Sequence, residues 1–175
     1  MSCAARAGSA VEADYLHPTT VEIETRSADE TRSIGRLLGE AARAGDVFLL
    51  VGDLGAGKTT LTQGVLWGLG GEEYARSPTF VLVSEYKARL VLYHVDLYRL
   101  EDADQVHDLG IEEYICGDGL CVIEWADKAM DHFPQEHLRV RMERLGRTTH
   151  RLALSSSASE YERHLSAVRD GRRIG

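Results

Sequence analysis

Gly52-Asp53-Leu54-Gly55-Ala56-Gly57-Lys58-Thr59 fits the pattern G-x-x-x-x-G-K-[ST] at every position, and its flanks decide the fold. Before it, Val47 to Val51 is a continuous apolar run, the mark of a strand covered on both faces. After it, Thr59 to Leu69 has helical spacing and is closed by Gly70 and Gly71. Strand, glycine-rich loop and helix in that order make a phosphate-binding unit. Glycines at 52, 55 and 57 let the backbone turn its N–H groups around a polyphosphate, the helix directs its positive end at the same charge, and Lys58 adds a full cation. The Thr59 hydroxyl is placed to bind Mg²⁺ that bridges phosphate oxygens. With 17 Gly among 175 residues and few lysines, random order would give the pattern about 0.003 times per chain.

Upstream, Val21, Ile23 and Thr25 alternate with glutamates as a short strand. Ser27 and Glu30 have the spacing of a capping box, and Ile34, Leu37, Leu38, Ala41 and Ala42 follow at helical intervals, with Gly45 as the left-handed stop. Downstream, the strand-like runs Phe80 to Tyr86 and Leu90 to Asp96 are linked by only Lys87, Ala88 and Arg89, which makes them antiparallel. Asp102 is placed to cap a helix through Leu109, and Ile111 to Ile115 add another turn. Leu120 to Ile123 reads as a second buried strand, and Leu138, Val140 and Met142 with Leu152 and Leu154 as a hairpin turning at Gly146. The expected fold is α/β: a P-loop NTPase-like three-layer arrangement with a mixed, mainly parallel central sheet and an antiparallel hairpin. One domain is expected over 21–154. It is preceded by a disordered leader, 1–20, and followed by a polar tail, 155–175, in which Tyr161, Leu165 and Val168 either form one amphipathic helix or stay loose.

Composition narrows the function. The net charge of −8 lacks the basic footprint of a protein that grips nucleic acid unaided. No run approaches the roughly 20 apolar residues of a membrane span, and Met1 to Thr20 has no charged segment followed by an apolar one. Cys3, Cys116 and Cys121 are an odd set without zinc-binding spacing, as in a reducing cytoplasm. A guanine site is disfavoured because neither Lys87 nor Lys128 has the Asp two residues later that reads the base, so ATP is the expected nucleotide. Asp96 and Glu124 each end an apolar strand, where ligands of open α/β sheets collect, and are the candidates for holding Mg²⁺ or its water. His94 is either an orienter of phosphate or water or a hydrogen-bonded core histidine. Trp125 either stacks on a ligand or partner or is simply buried. Arg139, Arg141, Arg144, Arg147 and Arg151 give a locally basic hairpin, read as a solvated strand face.

The loop continued to Thr60, together with Ser77-Pro78-Thr79-Phe80, His94-Val95-Asp96-Leu97-Tyr98-Arg99-Leu100 and Ile123-Glu124-Trp125, resembles the TsaE (YjeE) family, with similarity from about Val21 to Leu154. That resemblance implies a small ATPase of bacterial tRNA threonylcarbamoyladenosine formation. It implies further that Leu54, Gly55, Ala56, Gly57, Lys58, Thr59 and Thr60 hold ATP, that Thr59 and Glu124 bind Mg²⁺, and that Asp96 is Walker-B-like and needed for hydrolysis. Ser77 and Thr79 would form a switch sensing the γ-phosphate, and Ala28 and Gly146 would be further nucleotide contacts. The family's partners are the TsaD and TsaB proteins, and tRNA is reached only through them. In this reading Lys58, Asp96 and Glu124 are the catalytic set. The rival expectations are a small-molecule kinase with the arginine-rich hairpin as lid, and a non-hydrolysing binding module switched by nucleotide.

Overall fold

The computed structural model describes residues 19–78, 82–103, 105–156 and 158–171. Of the expected leader, 1–20, residues 1–18, Cys3 among them, lie outside the described residues, as do Thr79 and Phe80, while Thr19 and Thr20 belong to the first strand. In chain order the elements are β1 (Thr19–Thr25), α1 (Ala28–Ala41), β2 (Val47–Val51), α2 (Lys58–Gly68), β3 (Val83–Tyr86), β4 (Leu92–Asp96), α3 (Gln105–Asp108), α4 (Ile111–Ile115), β5 (Leu120–Glu124), a 3₁₀ segment (Ala126–His132), β6 (Leu138–Arg144), β7 (His150–Ser156), a 3₁₀ turn (Ser159–Tyr161) and α5 (Glu162–Gly171).

The strands form one sheet in the order β1-β7-β6-β2-β5-β4-β3. The central block β6-β2-β5-β4 is parallel, and both flanks are antiparallel, with β3 on β4 and with β1 and β6 on either side of β7. The expected three-layer α/β fold with a mixed sheet is therefore present. Side-chain parity builds the layers, because successive strand residues point to opposite faces. Phe48, Leu50, Leu92, Val122, Val140 and Leu154 pack with Leu38 of α1, Leu61 of α2 and Leu165 of α5. Val47, Leu49, Val95, Cys121 and Ile123 pack with Val106 of α3, Ile111 of α4 and Ala126 of the 3₁₀ segment.

Helix α1 starts as read: the Ser27 hydroxyl accepts from Glu30 N at 3.1 Å, while the Glu30 carboxylate reaches Arg26 N at 2.8 Å. Its end differs from the reading. The helix stops at Ala41, Ala42 turns extended, and left-handed Gly45 belongs to the following turn, in which Asp46 N donates to Arg43 O. The carbonyls at its end are bonded by distant side chains: Arg89 Nη2 donates to Gly39 O and Ala42 O at 3.0 and 3.1 Å, and Arg163 Nε to Ala41 O at 3.1 Å. Other boundaries moved as well. Strand β3 begins at Val83, and the helix expected from Asp102 is the single turn α3, separated from α4 by left-handed Gly110.

Helices α1 and α2 cross with their backbones in contact. A Cβ on Gly35 or Gly39 would overlap the carbonyls of Leu61 and Val65, and one on Gly64 or Gly68 would overlap those of Arg32 and Arg36. This close crossing sets the first turn of α1 beside the glycine loop, where Thr31 Cγ2 lies 4.0 Å from the Cβ position of Gly57.

Candidate functional site

The loop between β2 and α2 needs its glycines for geometry. Gly55 and Gly57 have φ of 80° and 96°, a left-handed conformation that side chains disfavour, and a Cβ on Gly52 would overlap Met142 O of β6. Gly57 caps α2 without a side-chain bond, so the first amides of that helix have no partner within it. Leu54 projects from the tip, 75% exposed; Ala56 is buried, and Thr59 and Thr60 are half-buried.

Lys58 is buried, and Nζ donates back into its own loop, to Gly52 O at 2.5 Å and Asp53 O at 3.0 Å. The ammonium also lies 3.7 Å from the centroid of the Trp125 ring, a cation–π contact. Trp125 holds that place from a left-handed backbone, φ 59°, a conformation that costs a non-glycine residue about 1–3 kcal/mol. Burial lowers the pKa of Lys58, and the charges of Glu124, Asp127, Asp96 and Asp53 oppose that shift.

The two strand-end acids converge as expected. Strands β4 and β5 are parallel with Asp96 opposite Glu124, and Leu50 is opposite Glu124 on the other side. Both acids are buried. Glu124 Oε2 accepts from Thr59 Oγ1 at 3.0 Å; its Oε1 faces His94 Nε2 at 2.8 Å and Thr62 Oγ1 at 3.4 Å. His94 thus combines its two readings: it is fully buried and it bonds a site carboxylate. Asp96 Oδ2 accepts from the Ser77 hydroxyl and Oδ1 from Tyr98 N at 2.8 Å. The Ser77 segment is further tied to β4, since Leu82 N donates to Pro78 O at 2.7 Å and Asp96 N to Leu82 O at 3.0 Å. Thr79, the other residue of the expected switch, is outside the described residues.

The two outlying positions sit on the flanks of the loop. Ala28 is the first, exposed residue of α1, in the turn that meets Gly57 through Thr31. Gly146 is in the β6–β7 turn, where its N–H donates to Thr149 O at 3.1 Å and its carbonyl accepts from Arg144 Nε at 3.0 Å. That hairpin reaches the glycine loop: His150 Nε2 donates to Gly55 O at 3.2 Å, and Arg144 Nη1 is 3.6 Å from the Gly55 Cβ position. Sequence reasoning did not single out Thr62 or His150. Thr62 carried a usable signal, being three residues after Thr59 and so on the same helix face; His150 carried none, since nothing local ties residue 150 to residue 55.

Comparison with known proteins adds the family. The model of the family described as threonylcarbamoyl adenosine biosynthesis protein TsaE matches residues 25–152, from the last residue of β1 into β7. The chain is 42% identical over 139 residues to the tRNA threonylcarbamoyladenosine biosynthesis protein TsaE of Bacillus subtilis, covering 79% of this chain and 87% of that one. It is 47% identical over 117 residues to the protein of the same description from Nostoc sp., covering 64% and 71%. The crystal structure of Bacillus subtilis YdiB is similar with a TM-score of 0.77 and 33% identity, over 89% of this chain and 97% of that one.

Proposed function

The chain belongs to the TsaE family, and on that premise we propose that it is the Mg²⁺-dependent ATPase subunit of tRNA threonylcarbamoyl modification. In this reading it acts on adenosine 37 of ANN-decoding tRNAs through the TsaD–TsaB pair, in the cytoplasm. The observation that carries the proposal is the 3.0 Å bond between Thr59 and Glu124, which joins the end of the glycine loop to the end of the neighbouring parallel strand.

The donor set fits the metal. Thr59 Oγ1 and Glu124 Oε2 are hard oxygen donors, one neutral and one anionic, and two protein oxygens of this kind suit Mg²⁺, which keeps water and phosphate oxygens for its other positions. When bound, Mg²⁺ would neutralise phosphate charge and hold the phosphate oxygens in place. The chain's own residues do the rest. The amides of Gly55 to Thr60, with Leu54 and Ala56 in the same loop, cradle the phosphates of ATP. Lys58, held here by two carbonyls and a ring, leaves them for the outer phosphates, whose negative charge attracts it far more strongly than carbonyl dipoles do. Asp96 orients the attacking water, and the Ser77 hydroxyl now on its carboxylate is the contact that nucleotide binding exchanges, together with Thr79. Ala28 and Gly146 bound the nucleotide on either side. Such a subunit transfers no threonylcarbamoyl group itself, and its net charge of −8 suits one that meets tRNA only through protein partners.

Phosphate release measured with TsaD and TsaB present tests the reading. Hydrolysis that Lys58→Ala and Glu124→Ala each abolish is the expected result. Undiminished hydrolysis in both variants overturns the site, and no release by the unaltered chain with its partners overturns the ATPase assignment.

A further inference from the structure

Glu124 is held by its two oxygens in different ways. Oε2 accepts from the Thr59 hydroxyl at 3.0 Å, its one partner among the described residues, whereas Oε1 is taken from behind by His94 Nε2 at 2.8 Å and more weakly by Thr62 Oγ1 at 3.4 Å, whose proton is shared with Lys58 O at 3.1 Å. His94 has no exposed surface and shares a strand face with Asp96, two residues on. A carboxylate only accepts, so Nε2 carries the ring proton. Nδ1 is buried with no hydrogen-bond partner among the described residues. An apolar side chain here would leave no orphaned Nδ1 but would strip Oε1 of its short donor, so what accounts for a histidine at this place is its grip on Glu124.

We propose that His94, assisted by Thr62, is the positioning residue that fixes Oε1 of Glu124 so that Oε2 is presented with Thr59 to a divalent cation, and thereby sets the metal affinity of the site. The proposal rests on the Mg²⁺–ATP reading above. Without the His94 bond the carboxylate turns about its last torsion and samples orientations in which neither oxygen lines up with Thr59. Partners that orient a metal ligand in this way typically change metal affinity 10–100-fold.

The test uses the full chain, a non-cleavable fluorescent ATP analogue titrated with Mg²⁺, Mn²⁺ binding followed by electron paramagnetic resonance, and nucleotide binding in EDTA. His94→Leu removes the donor, His94→Gln returns an N–H near the position of Nε2, and His94→Asn places its amide nearer that of Nδ1. The half-saturating metal concentration is expected to rise 10–100-fold in His94→Leu and His94→Asn, less than about tenfold in Thr62→Val because its bond is long, and to stay near the unaltered value in His94→Gln. Affinity in EDTA is expected to be the same in all. Unchanged metal dependence in His94→Leu overturns the proposal, as does a parallel fall in metal-free affinity. Should His94→Leu not fold, the Asn and Gln variants decide, and equal metal dependence in those two overturns it. An unaltered chain whose nucleotide binding ignores metal overturns the Mg²⁺–ATP reading itself, and the positioning role falls with it.

Discussion

Strand β2 has a buried charge at each end, and the two are treated oppositely. At its start Asp46 accepts from Arg163 Nη2 on both oxygens, and on Oδ2 also from His164 Nε2 at 3.0 Å and Arg43 N at 2.9 Å. Arg163 Nε in turn donates to Ala41 O at 3.1 Å, and the Tyr161 hydroxyl accepts from Val47 N at 2.9 Å. Asp46 is answered on both oxygens by a full countercharge and by two further donors, so the cluster's work is to dock α5. Past the other end, Lys58 takes carbonyls and a ring, and Glu124 takes hydroxyls and an imidazole. Buried charges bonded mainly to neutral groups are available to a ligand of opposite sign; a charge answered by a countercharge is closed to one.

Four experiments probe this contrast. Asp46→Asn is expected to lower stability by about 3–5 kcal/mol, because Arg163 is left without its countercharge, while nucleotide affinity of the folded protein is unchanged; urea unfolding and calorimetric titration read the two. Lys58→Met is expected to cut ATP hydrolysis 10²–10³-fold, the usual loss when one stabilising donor is removed from a reacting oxyanion, with an unfolding midpoint close to that of the unaltered chain. A large loss of stability here would make both ends structural. Mg²⁺–ATP at about 100 times its Kd is expected to add about 2.7 kcal/mol, with hydrogen-exchange protection rising at the start of α2 and unchanged in α5.

The smallest effect is that of pH. Burial lowers the pKa of His164 below its ordinary 6.5, against the opposing bond and charge of Asp46. Burial alone would raise that of Asp46, but bonds from His164, Arg163 and the Arg43 N–H outweigh it and hold the carboxyl below its ordinary 3.8. In both cases the unfolded chain binds protons at a higher pH than the folded one, so stability is present above pH 6.5 and is lost as pH falls, first through His164 and then through Asp46. Hydrogen exchange in α5 between pH 7 and 5 checks it; protection that grows on acidification refutes the assignment.

Much of the candidate site was legible because its requirements are local. The glycines at 52, 55 and 57, Lys58 and Thr59 are fixed by the backbone path and charge that a phosphate cradle demands, and Asp96 and Glu124 by standing at the ends of apolar strands. The antiparallel pairing of β3 and β4 followed from the length of a link. The end of α1 was misread because Gly45 is a competent stop by residue type, yet Arg89 and Arg163 bond the last carbonyls from far along the chain. The closeness of α1 and α2 was overlooked although Gly35, Gly39, Gly64 and Gly68 stand at four-residue intervals, since small residues on a helix show no partner by themselves.

By itself the sequence determined which segments are strand or helix, which loop can surround a phosphate, and which acids lie at strand ends, because each depends on dihedral preference and on apolar spacing over a few residues. Tertiary structure alone decided that His94 meets Glu124, that His150 meets Gly55, and that Asp46 is closed by Arg163 and His164 from the far end of the chain. Those meetings depend on strand order and register, and these are settled by the packing of whole faces, a property no short stretch of residues carries.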